Sequence, residues 1–234
     1  WKHRGGPSDT TVVGNQRITS KWPARGGPVV WDDIVYFAAG VWPSDGMYLH
    51  ALDAGTGKPV WKNDHSGQLE MGQPHGGALA KSGVSSQGYL LADDERLIVP
   101  AGRSVPAVFD RKTGELLYYQ LQKNQHRGGT RTMITDQVFS NGGCFFDLAT
   151  GELNTPFNMG PSAAVPGGLV HSNGRSLTAY RWDDVQKVDR KGKSKTVREL
   201  QQQRLTRLNS DVVEFIIAGN DAILGGRGKV SAVD

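Results

Sequence analysis

One stretch decides the fold of this chain: residues 49–61, LHALDAGTGKPVW. It has the pattern of a strand, a tight turn and the beginning of a second strand. The core of the turn is Asp53-x-x-Thr56-Gly57, and the aromatic residue Trp61 follows it. An Asp side chain accepts hydrogen bonds from backbone N–H groups two residues further on, Thr does so more weakly, and Gly supplies the positive φ that closes a hairpin. The residue types therefore predict a β-hairpin.

The same turn occurs three times, which makes it an internal repeat. Self-similarity of this kind is the signature of repeat architectures, so we interpret these residues as a structural repeat motif. The third copy has Asn154-Thr155 where the aromatic residue would stand. The copies consist of Asp53, Thr56, Gly57 and Trp61; of Asp110, Thr113, Gly114 and Tyr118; and of Asp147, Thr150 and Gly151.

Glycines mark where each unit is predicted to begin. Gly27, Gly88, Gly129 and Gly168 each precede a strand-like run and a polar turn, at spacings of 61, 41 and 39 residues. The last two spacings are close to the ~40–45 residues of a four-stranded propeller blade. The first unit is longer because residues 62–86, rich in Gly, Ser, Gln and His, are predicted to form an inserted loop.

Composition agrees with this interpretation, because 31 glycines stand beside many short Val, Ile, Leu, Tyr and Phe runs. We predict an all-β fold, a β-propeller of four-stranded antiparallel blades with about four to five blades in a partial ring and a short inserted helix. Residues 1–234 are predicted to be a single partial propeller domain, with residues 1–25 as the end of a preceding blade or a linker. The final run, residues 230–234, matches residues 49–53 in form, so we expect a fragment of a larger protein that stops within a blade.

Residues 193–209 are predicted to be a helical insertion. Thr196 and Glu199 have the spacing of a capping box, and the Leu, Gln and Arg residues after them favour a helix. The surrounding segment, 181–207, carries nine Lys/Arg against four Asp/Glu, in a chain whose net charge is +4. A solvated helix face is the default interpretation of this basic segment, and an acidic partner is the alternative. The rest of the chain is close to neutral, so a nucleic-acid partner is not expected.

Residues 51–61 resemble the repeat of pyrroloquinoline-quinone (PQQ)-like β-propellers. That superfamily includes quinoprotein alcohol dehydrogenases and BamB-like outer-membrane assembly lipoproteins. The resemblance covers roughly residues 25–234 and also rests on the runs at 22–28 and 102–106. It implies that the aromatic residue after the turn docks between neighbouring blades, which gives Trp61 and Tyr118 a packing role. It also implies a periplasmic or other extracytoplasmic location.

The resemblance raises the question of whether this chain has the residues that bind PQQ and calcium. Quinoprotein dehydrogenases hold PQQ over a Trp and beneath a vicinal disulfide, with a calcium ion and a catalytic Asp. The lone Cys144 cannot form a vicinal pair, and no Glu/Asn/Asp set matches the calcium ligands. We therefore expect neither PQQ nor calcium in this fragment unless further blades complete the site, and we assign no catalytic or metal-binding residue. The side chains that could stack a quinone without the rest of the site are those of Trp31, Trp42 and Trp182.

Other reactive side chains have simpler interpretations. The histidines show no metal-ligand spacing; they are His3, His50, His65, His75, His126 and His171. His50 and His171 lie in strand-like runs, where a structural role is favoured, and His75 lies in a loop, where binding groups often lie. Cys144 precedes two Phe residues, which indicates burial rather than reactivity.

Acidic doublets and a glycine-rich run also have structural interpretations. Asp32-Asp33 and Asp93-Asp94 recur at the same place in the repeat, so we interpret them as turn formers, and Asp183-Asp184 is the third such pair. Residues 225–229, GGRGK, lack the spacing of a phosphate loop and no helix follows them, so a turn between strands is expected.

The repeat is shared by enzymes and scaffolds, so fold alone does not decide activity. Our first functional hypothesis is a non-catalytic propeller that binds a protein partner or an unidentified small ligand, and that packs against the rest of its own propeller. No apolar run approaches the ~18 residues of a membrane span. The alternatives are part of a PQQ-dependent quinoprotein dehydrogenase whose active site lies outside this chain, and a sensor propeller fused to another catalytic domain.

Overall fold

The computed structural model describes residues 1–14, 16–73, 76–102, 104–121, 129–141, 144–156, 160–188, 192–209 and 211–234. Within them, strands form four four-stranded antiparallel sheets, one three-stranded sheet and two separate strand pairs. The helical elements described are two 3₁₀ turns, Pro43–Asp45 and Ser66–Gln68. The prediction of an all-β protein with about four to five blades is confirmed.

The strands follow one another in sequence order. The first strand pair consists of β1 (Thr11–Gly14) and β2 (Arg17–Ser20). Blade 1 contains β3 (Ala24–Trp31), β4 (Ile34–Ala39), β5 (Tyr48–Asp53) and β6 (Pro59–Asn63). The second strand pair, β7 (Glu70–Gly72) and β8 (Leu79–Lys81), lies in the segment predicted as an inserted loop. Blade 2 contains β9 (Leu91–Ala92), β10 (Arg96–Val99), β11 (Ser104–Asp110) and β12 (Leu116–Leu121).

The second half of the chain continues the pattern. Blade 3 contains β13 (Thr132–Thr135), β14 (Val138–Asn141), β15 (Cys144–Asp147) and β16 (Leu153–Pro156). Blade 4 contains β17 (Ser162–Val165), β18 (Gly168–Ser172), β19 (Ser176–Val188) and β20 (Ser194–Arg207). Blade 5 contains β21 (Glu214–Ala218), β22 (Asp221–Gly226) and β23 (Lys229–Val233).

The first strands of successive blades lie side by side, in the order β3, β9, β13, β17, β21. They approach so closely that side chains are excluded at their beginnings. A Cβ built on Gly26 would lie 1.8 Å from the carbonyl oxygen of Gly88, and one on Gly88 would lie 2.1 Å from that of Thr130. This is why glycines stand in or just before the first strands of blades 1 and 2, as inner strands crowd together around the axis of a propeller.

Each junction between blades has its own hydrophobic cluster. In β10, Leu97 and Val99 pack toward blade 1, whereas Ile98 between them packs toward blade 3. In β15, Phe146 packs toward blade 2 and Phe145 toward blade 4. Side chains alternate across a strand, so blades 2, 3 and 4 have two apolar faces, each covered by a neighbouring blade. This explains the nearly continuous apolar runs of the sequence.

The predicted helical insertion at residues 193–209 is wrong. Ser194–Arg207 forms the outer strand of blade 4 and pairs with Ser176–Val188 over thirteen residue pairs. Helix propensity differs by only a few tenths of a kcal/mol between such residues, and a long cross-strand ladder overrides it. Thr196 and Glu199, the expected capping box, face opposite sides of the ribbon, and Glu199 pairs with Lys187 at 2.5 Å.

The fourth predicted unit start is also displaced. Gly167-Gly168 lies at the turn between β17 and β18, the first and second strands of blade 4, and not before its first strand. It corresponds to the turns at Asp32-Asp33 and Asp93-Asp94 in blades 1 and 2. Asp32 and Asp33 have φ of 53° and 56°, a conformation that Asp tolerates better than most residues, and they form the turn that the sequence predicts.

Candidate functional site

The motif turns have one geometry in blades 1, 2 and 3. In the first, an Oδ1 atom of Asp53 accepts hydrogen bonds from the backbone N–H and the hydroxyl of Thr56, both at 2.6 Å. The N–H of Gly57 donates to the Asp53 carbonyl at 2.8 Å. The hydrogen bonds from Thr56 lower the pKa of the Asp53 carboxyl. The same bonds connect Asp110 to Thr113 and Gly114, and Asp147 to Thr150 and Gly151.

The aromatic residue that follows the motif turn in blades 1 and 2 docks on the turn of the next blade. Trp61 donates its Nε1–H to the carbonyl of Arg111 at 2.9 Å and lies on Gly114. Tyr118 donates its hydroxyl to the carbonyl of Leu148 at 2.8 Å and lies on Gly151. Trp1 likewise donates its Nε1–H to the carbonyl of Ala54 and lies on Gly57. The third motif has no aromatic residue at this place, so the blade 3–blade 4 junction is made differently.

Sequence reasoning missed one buried charge, Arg111, which is 5% exposed between blades 1 and 2. Its guanidinium donates to the carbonyl of Asp94 at 3.0 and 3.2 Å and to the hydroxyl of Tyr36 at 3.1 Å, and lies 3.5 Å from the Asp32 carboxylate. Burial raises the pKa of Tyr36, which keeps this hydroxyl protonated. The group is a polar cross-link between blades rather than a reactive site.

His50, His171 and Cys144 are engaged in packing, whereas the side chain of His65 is 76% exposed. His50 is buried, stacks on Phe37 at 4.7 Å, and its Nε2 lies 2.7 Å from the Gly5 carbonyl. His171 Nδ1 lies 3.3 Å from the Ser162 hydroxyl. Burial lowers the pKa of both imidazoles. Cys144 lies in the cluster between blades 2 and 3. His75 and His126 lie outside the described residues.

The three Trp side chains that could stack a quinone differ in their exposure. Trp182 is 4% exposed, packs edge-on against Phe145 and donates to Thr135 at 3.1 Å, so neither of its faces is open to a quinone. Trp31 is exposed at the end of β3, and Trp42 is exposed just before the 3₁₀ turn Pro43–Asp45. In the described part of the chain, no group of three or more His, Cys, Asp or Glu side chains could hold a metal ion.

An open cavity of about 460 Å³ lies where the first strands of blades 3, 4 and 5 begin. Arg131 and Glu214 form an ion pair across it, from blade 3 to blade 5. The remaining lining is mixed: it includes the hydroxyl side chains of Thr132, Ser140 and Ser162 and the apolar side chains of Met133, Pro161 and Phe215. Because its two charges neutralise each other, the cavity has no net charge with which to select a ligand.

Blade 4 departs from the repeat where the motif turn would stand. Its strand β18 pairs with β19 only as far as Arg181, so residues 182–188 and 194–200 pair with each other alone. We call this two-stranded extension the blade 4 arm. At ~3.3 Å per residue it continues for ~20 Å beyond β18.

The arm is fastened to blade 3. The guanidinium of Arg198 donates to the two carboxylate oxygens of Asp136 at 2.5 and 3.1 Å, and to Asp184 at 3.2 Å. Arg198 lowers the pKa of Asp136, whose backbone has a φ of 55° in the turn between β13 and β14. At the base of the arm, Trp182 and Leu200 pack in the blade 3–blade 4 cluster. These contacts take the place of a docking aromatic residue at this junction.

The antiparallel blades, the repeated turns and the docked aromatic residues define a β-propeller of PQQ-like repeats. Residues 7–234 match the family described as outer membrane protein assembly factor BamB, and the chain belongs to that family. A search of curated proteins found no match. No helix in the described residues has the length and apolar character needed to cross a membrane.

Two solved structures with TM-scores above 0.5 show the same fold at low identity. BamB from Moraxella catarrhalis is 15% identical with a TM-score of 0.52, over 89% of this chain and 57% of that one. The computationally designed Ika8 protein is 15% identical with a TM-score of 0.52, over 88% and 56%. A europium-containing methanol dehydrogenase is 13% identical with a TM-score of 0.47, over 89% and 58%. The chain thus spans just over half the length of these structures.

Proposed function

We propose that this chain is part of a non-catalytic propeller that acts as a scaffold for binding other proteins. The observation that carries the proposal is the blade 4 arm. Blades 1 to 3 close the corresponding hairpin with a six-residue motif turn, whereas blade 4 extends it into solvent and fastens it through Arg198 to Asp136. Beyond its base at Trp182 and Leu200, this strand pair supplies a surface for a partner, and no described residue of it joins the blade 3–blade 4 cluster.

The engagement of the motif residues supports a non-catalytic role. Each motif carboxylate is used by its own turn, and each docking aromatic residue is used by the next blade. The side chains with reactive chemistry elsewhere, such as Cys144 and His50, are buried in blade packing. These residues build a rigid support.

The family description also points toward protein partners, because it is that of an assembly factor for outer membrane proteins. A scaffold of this kind would meet two sorts of partner: the remaining blades of its own propeller, and a separate protein bound at a surface such as the arm. Neither PQQ nor calcium is part of this proposal.

A titration of the purified chain with PQQ and calcium tests the proposal against the dehydrogenase alternative. We expect no saturable quenching of tryptophan fluorescence at micromolar PQQ, and no dye-linked oxidation of alcohols. Trp31→Leu and Trp42→Leu are suitable variants because both side chains are exposed and their loss leaves the core intact. Saturable quenching that disappears in either variant, together with alcohol oxidation, would overturn the non-catalytic scaffold.

A further inference from the structure

We propose that the outer edge of β20 receives an acidic, extended polypeptide segment, which adds to blade 4 as a further strand. The inference rests on the proposed scaffold function and names its class of partner. It is carried by two features of the same strand: an unusually long free edge, and basic side chains that form no ion pair with a described residue.

The free edge comes from the topology of blade 4. β20 is the outermost strand of its sheet, and no described strand pairs with its outer side. It has 14 residues, ~46 Å of backbone, whereas the outer strands of blades 1, 2 and 3 have five, six and four. The outward N–H and C=O groups of such a strand are a template on which another extended chain can pair.

Some charged side chains of β20 form ion pairs with described residues, and others do not. Arg198 is held by Asp136 and Asp184, and Glu199 by Lys187. Lys195, Arg204 and Arg207 are exposed and make no ion pair with any described residue. The one carboxylate of the strand is therefore neutralised, and three cations remain along its length.

These cations select the partner. Basic side chains on an edge strand oppose pairing with a second basic edge, including the same edge of another copy. A strand with carboxylates at matching places neutralises them instead, and opposite charges on neighbouring strands are stabilising. Leu205, 50% exposed between Arg204 and Arg207, adds an apolar contact on the same edge.

The edge favours a polypeptide over a nucleic acid. Lys195 and Arg207 are eleven ladder positions apart once the bulge near Arg204 is allowed for, so the cations are spread over ~36 Å along the strand, with Lys195 and Arg204 on one face and Arg207 on the other. Between them the surface offers backbone donors and acceptors in strand spacing, which another backbone can satisfy and a phosphodiester chain cannot.

Two fluorescent twelve-residue peptides test the proposal. Both alternate Thr and Val, and every third residue is replaced by Glu in one peptide and by Lys in the other. Fluorescence anisotropy with the whole chain measures their binding. We expect the Glu peptide to bind at least ~10-fold more tightly, with an affinity that falls as salt is added. Lys195→Glu/Arg204→Glu/Arg207→Glu should weaken it by at least ~10-fold and strengthen binding of the Lys peptide.

A matched control carries the same charge change on other strands, Arg17→Glu/Lys81→Glu/Lys229→Glu, where all three side chains are also exposed. It should leave binding of the Glu peptide within about twofold of the parent. Circular dichroism confirms that both triple variants fold. If the β20 variant does not fold, the Gln version, Lys195→Gln/Arg204→Gln/Arg207→Gln, replaces it and should give a smaller loss in the same direction.

Amide hydrogen exchange separates strand addition from simple charge attraction. The Glu peptide should protect amides in residues 194–207 and leave those in β12 unchanged. Equal binding of the two peptides, absence of binding, loss in the control as large as in the β20 variant, or no protection of β20 would overturn the proposal. Tighter binding of a twelve-nucleotide single-stranded RNA than of the Glu peptide would also overturn it.

The PQQ titration on the same preparations keeps the two proposals distinguishable. A chain that binds neither PQQ nor the Glu peptide retains the scaffold function and loses this docking edge. A chain that binds PQQ and oxidises alcohols loses the scaffold function, whatever the peptides do.

Discussion

The indole of Trp61 lies directly on Gly114, the turn glycine of the next blade. A Cβ built on Gly114 would come within 2.5 Å of the indole ring, and the Trp61 Nε1–H donates to the carbonyl of Arg111 in the same turn. A Cβ built on Gly151 would likewise lie 2.6 Å from the ring of Tyr118. The motif glycine is therefore required twice: its φ is positive, and its missing side chain makes room for the aromatic residue of the preceding blade.

Replacing Gly114 by Ala should separate these two requirements when it is compared with Gly228→Ala. Both glycines have nearly the same φ, 74° and 72°, but nothing lies within 4 Å of a Cβ at Gly228. We expect Gly228→Ala to cost ~1 kcal/mol from backbone strain, and Gly114→Ala to cost at least ~1–2 kcal/mol more because Trp61 must move. Urea unfolding of the two variants measures the difference. Equal losses would show that the aromatic contact contributes nothing.

Local chemistry made the motif turns predictable from sequence. Asp53, Thr56 and Gly57 make their bonds within four residues of one another, so their types alone indicate the turn. The nearly continuous apolar runs likewise indicate strands buried on both faces. The number of blades followed from the repeat of these local signals.

Elements decided by distant partners were not predictable in this way. Ser194–Arg207 has the composition of a helix, and its strand conformation comes from pairing with Ser176–Val188. Arg111 stands at a motif position occupied elsewhere by Ala54 and Leu148, so nothing near it in sequence marks it as buried. Its environment is made by Tyr36 and Asp94, 75 and 17 residues away.

The second prediction concerns Arg111. Arg111→Met preserves much of the side-chain volume but leaves the Tyr36 hydroxyl and the Asp94 carbonyl without their donor. We expect a loss of ~2 kcal/mol in the free energy of unfolding. Arg175→Met is the matched control, because Arg175 pairs with Asp211 on the surface, where the side chains are 85% and 76% exposed, and should change stability by less than ~0.5 kcal/mol. Denaturant titrations in parallel check this, and similar values for both variants would contradict a role for the buried cation.

The third prediction is a dependence of stability on pH through His50. Burial lowers its pKa, and the nearby His3 and Lys62 lower it further, against the opposing effects of the Gly5 carbonyl and Asp64. The unfolded chain therefore binds a proton more readily than the folded one. Stability is complete above the unfolded pKa of ~6.5 and falls as the pH drops through and below that value.

His50→Gln should reduce the slope of this loss between about pH 7 and pH 5. His171, whose pKa burial also lowers, keeps part of the slope. The exposed His65 serves as the control, and His65→Gln should leave the slope unchanged. Unfolding midpoints measured across this range test the prediction, which fails if His50→Gln and His65→Gln give the same profile.

The last prediction is that the blade 4 arm is dispensable for the fold of blade 4, although its base is not. In blade 2, the motif turn of residues 110–115 connects the paired residues Phe109 and Leu116. In blade 4, Trp182 and Leu200 are also paired, at the base of the arm. Replacing residues 183–199 by the sequence of residues 110–115 should therefore restore an ordinary blade. The strands keep their cross-strand pairs up to Trp182, and the changes in stability come from losing the Arg198–Asp136 pair. We expect an unchanged β circular dichroism signal and a loss of no more than ~1 kcal/mol in the free energy of unfolding, since the pair is partly exposed.

Deleting residues 194–209 is the contrasting variant, because it removes the whole outer strand and exposes the cluster around Trp182. That variant should lose several kcal/mol or fail to fold. If the grafted turn is as damaging as the deletion, the arm is part of the structural core of blade 4 and not an extension of it.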